Sequence, residues 1–336
     1  MSMPDTGTPQ YQLKRRLRRL RRTVSGSVRA AIDALRGKGD SALQSAKAVG
    51  PLLLDEKTYN VAHLDYEPEL VRNFPDRIFN DDRSSTNPLL AEIRNMAKRD
   101  KVPRNIWQRI CRDMMIEASA VPGFDQVMER KAYIENYMAA LGQRYHSHYL
   151  AGWVNLTDAQ FLYWIVRQLK PKTILQTGVS NGLSSAFMML ALAKNGAEGS
   201  LHVVDVPAIF DPTDPNWTRP GAVFGFVIPE GKTSGWMVPD IYSDRFKVQT
   251  GDAKKLLPPL VDRLAAVDMF YHDSDHSYNH MAFEFEQAKR KLAPNGVVVA
   301  DDISWNASLW DFADKYRLPS YNYCGSMGVA FLPGKS

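Results

Sequence analysis

The sequence predicts an α/β protein: a mostly parallel, Rossmann-like sheet that closes with a C-terminal antiparallel hairpin and is preceded by a helical N-terminal region. Three observations predict it. Residues 267–271 and 296–300 are short apolar runs that each lead into carboxylates, Asp273 and Asp275 after the first, Asp301 and Asp302 after the second. Between them, residues 279–292 place Met281, Ala282, Phe285, Ala288 and Leu292 at helical spacing, and such a strand–helix–strand crossover makes the two strands parallel neighbours. Upstream, residues 171–185 hold a strand, a turn with Gly178 and Gly182, and the start of a helix expected over 183–194.

In chain order, the elements begin with a basic arm. Residues 1–50 contain eleven Lys and Arg against three Asp, whereas residues 51–336 carry 31 basic against 34 acidic side chains, so the net charge of +5 resides in the arm. Leu13, Leu17, Leu20, Val24, Val28, Ile32 and Leu35 recur there at helical spacing among the arginines. A basic amphipathic helix of this kind suits an anionic lipid surface, or pairing with its own copy in a homo-oligomer. A largely solvated tail and an Arg-rich organellar presequence stay open as readings. Nucleic acid is disfavoured, because the cationic run has no interleaved aromatic residues.

Residues 51–154 form the next unit, with helical patterns at 89–99, 106–119 and 124–141 separated by Pro88, Pro103 and Pro122 and expected to pack against or over the following domain. His146 and His148 end it, better suited to lid or core packing than to a ligand pair. Residues 155–336 form the sheet-bearing domain. Thr157 and Asp158 open a helix over 159–169, and after the glycine turn a strand at 201–205 ends in Asp205. The piece from 207 to 244 is rich in Pro, Gly and Trp and reads as a lid or binding loop, with Trp217, Phe224, Phe226 and Trp236 available to stack on a sugar face. Gly231-Lys232-Thr233 is no phosphate loop, since Phe226 stands where that motif needs a glycine. Residues 320–324 and 327–332 give the closing hairpin.

With 336 residues and 44% hydrophobic content, the chain can bury a full core and retain well over a hundred residues beyond it. Cys111 and Cys324 offer neither a disulfide framework nor zinc spacing, so a reducing cytoplasm is expected. No apolar run is long enough to span a bilayer, and the basic amino end lacks the apolar stretch of a secretory signal.

In open α/β sheets ligands bind beyond the carboxyl ends of the strands, which is where Asp273, Asp275, Asp301 and Asp302 converge. Four carboxylates there repel one another unless a cation offsets them, and all-oxygen ligands favour Mg, Ca or Mn over zinc. Helix capping by the Asp-Ser-Asp segment is the plainer alternative. Gly178 and Gly182 let a ligand approach the backbone, but the dinucleotide fingerprint fails at Ser180 and Leu183. Asp205 suits ribose hydroxyls, with a turn cap as the alternative.

The segments 174–182, 203–205, 251–253, 272–278 and 292–303, in that order, resemble a class I S-adenosylmethionine-dependent methyltransferase, over roughly residues 155–332. Within that class the chain resembles the branch of metal-dependent sugar O-methyltransferases of macrolide, aminocoumarin and rhamnosyl type, with cephalosporin hydroxylase-like proteins. The resemblance implies that Gly178 and Gly182, with Gln176 and Ser180 beside them, face the methionine part of the cofactor. It places Asp205 at the ribose and Asp252 with Ala253 at the adenine. It gives Mg to Asp273, Asp301 and Asp302 and the general base to Asp275, with His276 a rival and His272 packed behind. Gln176 departs from the acid usual at its position.

The implied activity is methyl transfer to a hydroxyl of a sugar, glycan or hydroxylated natural product. Such an oxygen needs acidification and alignment with the sulfonium methyl, which a bound Mg and a general base supply. A hydroxylase-like member of the same fold, and a nucleic-acid methyltransferase or binding module recruited by the arm, are the alternatives.

Overall fold

The computed structural model describes residues 104–332, apart from 197, 304–305 and 325–326. The arm and the pattern at 89–99 lie outside the described residues. The main sheet has strands β1 (Thr173–Thr177), β2 (Ser200–Asp205), β3 (Phe246–Thr250), β4 (Val267–His272), β5 (Leu292–Ala300), β6 (Ser320–Cys324) and β7 (Met327–Phe331), in the order β6-β7-β5-β4-β1-β2-β3. β7 runs antiparallel to both its neighbours, and the other pairings are parallel. The order reverses at β1, which lies between β2 and β4, so the crevice above β1 and β4 is the topological switch point where such sheets bind ligands.

Seven helices are described: α1 (Arg104–Ser119), α2 (Phe124–Tyr145), α3 (Leu156–Leu169), α4 (Leu183–Asn195), α5 (Ala253–Arg263), α6 (Tyr278–Lys289) and α7 (Ser308–Lys315). Strand alternation sorts the core onto two faces. Ile174, Val203, Met269, Tyr271, Val297 and Val299 join one cluster with α3 and α4, while Leu175, Val204, Phe270, Val298 and Ala300 join another with α5, α6 and α7. On the second face Phe270 meets Phe285 edge-on at 6.3 Å, an arrangement worth about 0.5–1.5 kcal/mol beyond burial.

Residues 158–166 of α3 and 183–192 of α4 are buried without interruption. A surface helix would show a polar stripe. These show none because α1 packs on α3 and α2 on α4, contributing Ile110, Val127, Ile134 and Met138 to the same cluster. Glu117 of α1 accepts from Tyr163 Oη at 3.0 Å and pairs with Arg167, fixing α1 to α3.

Several boundaries differ from the sequence expectation. The helix expected over 279–292 ends at Lys289, and Leu292 instead begins β5. Val267 N–H donates to Lys291 O at 2.8 Å, drawing the chain into the sheet one turn early. α3 begins at Leu156 because Asn155, rather than Thr157 or Asp158, caps it, accepting from Asp158 N–H at 3.0 Å. His146 and His148 are both exposed, His146 as the left-handed cap that ends α2, so neither packs in the core.

Candidate active site

β1 runs into a turn in which Gly178 (φ 76°), Ser180 (φ 51°) and Gly182 (φ 98°) all take left-handed backbone before α4 begins. At two of these positions the need for glycine is also steric. A Cβ on Gly178 would lie 2.1 Å from the Asp273 carbonyl oxygen, and one on Gly182 would lie 2.7 Å from Gly235 Cα. Gln176 is fully buried beneath the turn, donating to Gly178 O at 2.8 Å and Ser184 Oγ at 3.0 Å and accepting from Ser185 Oγ at 2.7 Å. A carboxylate there could not donate to a carbonyl, which gives a physical reason for an amide where the resemblance expects an acid.

The piece from 207 to 244 is stitched to this turn. Gly235 N–H donates to Ser180 O at 2.9 Å and Met237 N–H to Asn181 O at 3.0 Å. Asn181 in turn donates to Ala151 O at 2.9 Å and Val227 O at 2.8 Å, and accepts from Trp236 Nε1 at 2.9 Å. Arg130 of α2 clamps the same segment, donating to Trp236 O at 2.7 Å and Val238 O at 2.8 Å. Among the four aromatics expected to stack on a ligand, Trp217 and Phe224 pack on one another, Trp236 is partly buried, and Phe226 is 65% exposed.

Asp205 is buried at the end of β2. Its Oδ1 accepts from Val179 N–H at 2.8 Å and its Oδ2 from Ser234 Oγ at 2.5 Å. Beside it Val206 is 68% exposed, an apolar side chain on the rim. Asp252 is exposed and caps α5, accepting from Lys254 N–H at 2.9 Å, while Ala253 is buried in the core behind it. A cleft of about 480 Å³ runs along β3, lined by Lys232, Ser234, Trp236, Phe246 and Thr250 among others.

Across the switch point, β4 and β5 deliver the acids. Asp273 N–H donates to Thr177 O at 2.9 Å, and Asp301 N–H to His272 O at 3.0 Å, which locks both strand ends to their neighbours. Burial, and then the nearby Asp301 and Asp302, push the Asp273 carboxyl well above the usual range. Asp301 Oδ1 is buried with no hydrogen-bond partner among the described residues. Asp302 sits in left-handed backbone at φ 52°. His276 Nε2 lies 3.8 Å from Asp273 Oδ1 and 4.0 Å from Asp302 Oδ2. Asp275 stands apart: it is exposed, and its Oδ1 accepts from Ser277 N–H at 2.9 Å in an Asx turn ahead of α6, whose cap is Ser277 itself, so it does not cap the helix. Among the described residues, no three His, Cys, Asp or Glu are grouped so as to hold a metal ion.

Behind this cluster lies Glu284, which the sequence reading missed. It is fully buried on α6 and accepts from Thr177 Oγ1 at 2.6 Å and Ser274 Oγ at 2.8 Å, and bonds His272 Nδ1 at 2.6 Å and His280 Nε2 at 2.8 Å. Burial alone would raise its pKa, but the bonds from His272 and His280 hold it down at about 2. It thereby ties the ends of β1 and β4, the rim loop and α6 to one carboxylate. The signal was present in the sequence: His280 and Glu284 stand four apart on one helix face.

Residues 175–303 match the Methyltransf_24 family model, described as a methyltransferase domain. No curated protein matches the chain. Similar solved structures include an O-methyltransferase from Bacillus cereus in complex with SAH, at 17% identity and a TM-score of 0.42 over 62% of this chain and 90% of that one. An O-methyltransferase involved in tomaymycin synthesis from Streptomyces achromogenes, in complex with SAM, is 16% identical with a TM-score of 0.38 over 54% and 82% of the two chains. A Podospora anserina methyltransferase with SAH bound is 14% identical, with a TM-score of 0.41 over 63% and 88%.

Proposed function

We propose that this chain is an S-adenosylmethionine-dependent methyltransferase, a reading supported by the match of residues 175–303 to a methyltransferase-domain model. The acceptor atom in our reading is the oxygen of a sugar, glycan or hydroxylated natural product. One observation carries it: the glycine turn and the acid loop touch, Gly178 against the Asp273 carbonyl so closely that no Cβ fits. A methyl donor seated on the turn would therefore stand beside Asp273, His276 and Asp302. An alcohol needs a base, and His276 is better placed for the proton than Asp275, because it faces two carboxylates that offset the charge on the ring once the proton is taken. Asp205 would orient the ribose.

Carboxylate oxygens are the donor type that suits Mg, although among the described residues these acids are not grouped as a metal site. Asp301 Oδ1 is buried without a partner among the described residues, and Asp273 sits among like charges. Asp273, Asp301 and Asp302 would hold the ion, which when bound makes the acceptor hydroxyl more acidic.

The test is methyl transfer from labelled S-adenosylmethionine to a panel of glycosides and hydroxylated natural products. His276→Asn should cut turnover at least 100-fold and Asp275→Asn by less than threefold. Asp301→Asn and a chelator should each lower turnover. Undiminished transfer in excess chelator would remove Mg from the reading, and binding of NAD in place of S-adenosylmethionine would remove the reading itself. No helix among the described residues is long and apolar enough to cross a membrane. We assign the arm to an anionic membrane surface facing a reducing cytoplasm; deleting residues 1–50 should then lower vesicle binding at low salt and leave cofactor binding intact.

A further inference from the structure

We propose that Ser234 is an internal competitor for the carboxylate that binds the cofactor ribose, so that the segment after β2 sets cofactor affinity from within the chain; this rests on the S-adenosylmethionine reading above. Asp205 is the acid at the end of β2, and both its oxygens are in use. Oδ1 holds the glycine turn through Val179 N–H at 2.8 Å, and Oδ2 accepts from the Ser234 hydroxyl at 2.5 Å. Oδ1 takes Val179 N–H and, at 3.4 Å, Ser180 N–H, so a ribose diol is left with Oδ2, where Ser234 already fills one of the two lone pairs with the same kind of O–H. Hydroxyl donation to an ionised acceptor is among the stronger neutral-donor hydrogen bonds, so exchange at that atom carries a measurable cost.

The segment is arranged to hold the hydroxyl there. Ser234 is 4% exposed, Gly235 packs on Gly182 with no room for a Cβ, and Gly235 N–H bonds Ser180 O at 2.9 Å. From Trp236 onward the chain is pinned by Arg130 and Asn181. Release of Oδ2 therefore needs no movement of the whole segment. A rotation of the Ser234 side chain suffices, and the cleft of about 480 Å³ that Ser234 helps to line lies beside it. Gly231, exposed and at φ 74°, makes the turn that leads into the segment.

The competition fixes the sign of a substitution that would otherwise be expected to weaken binding. Calorimetry with S-adenosylhomocysteine on the full chain should show Ser234→Ala binding three- to tenfold more tightly than wild type. In the Asp205→Ala background the same change should have no effect, since no carboxylate remains to contest. The tightening should also vanish for the analogue lacking the ribose hydroxyls. Circular dichroism melts on each variant verify folding, and Ser234→Gly, which keeps the segment's close packing and removes the hydroxyl, provides the second variant. Unchanged or weaker binding in folded Ser234→Ala and Ser234→Gly overturns the competition, the weaker case making Ser234 a group that helps hold the cofactor. No binding by wild type or either variant overturns the S-adenosylmethionine reading, and this inference with it.

Discussion

Replacing Glu284 by alanine should destabilise the protein by about 3–5 kcal/mol, because a buried carboxylate that serves four donors is removed from one side. The structure supports that magnitude. The carboxylate serves donors on Thr177, His272, Ser274 and His280, of which Thr177 and His272 are fully buried. Each buried donor left without an acceptor costs about 1–3 kcal/mol, so those two alone approach the total. Glu284→Gln keeps one acceptor oxygen but turns an NH₂ toward a donor, and should cost about half as much. The pH dependence has a fixed sign. The folded pKa, about 2, lies below the ordinary 4.5, so the contribution is present above pH 4.5 and is lost as pH falls from 4.5 toward 2. At about 1.36 kcal/mol per unit of pKa it amounts to about 3 kcal/mol. Urea unfolding of wild type and Glu284→Gln at pH 7, 5, 4 and 3 checks it: the difference should be constant to about pH 5 and narrow below. A difference under about 1 kcal/mol at pH 7, or one that stays flat to pH 3, would refute the reasoning.

Two further substitutions follow from the turn. Gly178→Ala places a methyl 2.1 Å from the Asp273 carbonyl, so the turn or the acid loop must shift; affinity for S-adenosylhomocysteine should fall at least tenfold by calorimetry, and wild-type affinity would show that the two segments are not in register. Asn181→Ala removes the acceptor of Trp236 Nε1 and the donor to Ala151 O and Val227 O. Its cost should be about 2–3 kcal/mol by calorimetric unfolding, and a loss under about 0.5 kcal/mol would mean that water replaces the tether.

The inner strands were legible because they are apolar runs that lead into acids or glycine, a pattern set by burial on both faces, whereas the edge strand β3 has no buried residue. The rim was legible for the same reason: residues that end parallel strands must meet there, which brings Asp205, Asp273, Asp301 and Asp302 to one edge. What was obscured depended on side-chain direction. Asp275 and His276 are adjacent in sequence, yet Asp275 turns outward onto Ser277 N–H while His276 turns in toward Asp273 and Asp302. Ser234 gave no signal at all, since its contact with Asp205 spans 29 residues of loop broken only by two-residue strands and one short turn of helix. The start of β5 was misplaced because Leu292 satisfies both the helical spacing and its pairing with Val267, and the β4–β5 ladder decides between them.

The contact between Gly178 and the Asp273 carbonyl has a consequence for how such a site can change over time. The loop that would carry the donor and the loop that would activate the acceptor share a van der Waals boundary made of main chain on both sides, which substitution of side chains cannot reshape. Neither loop can lengthen or tilt by itself. On the proposed reading, a change of acceptor would have to come from side chains outside these two loops.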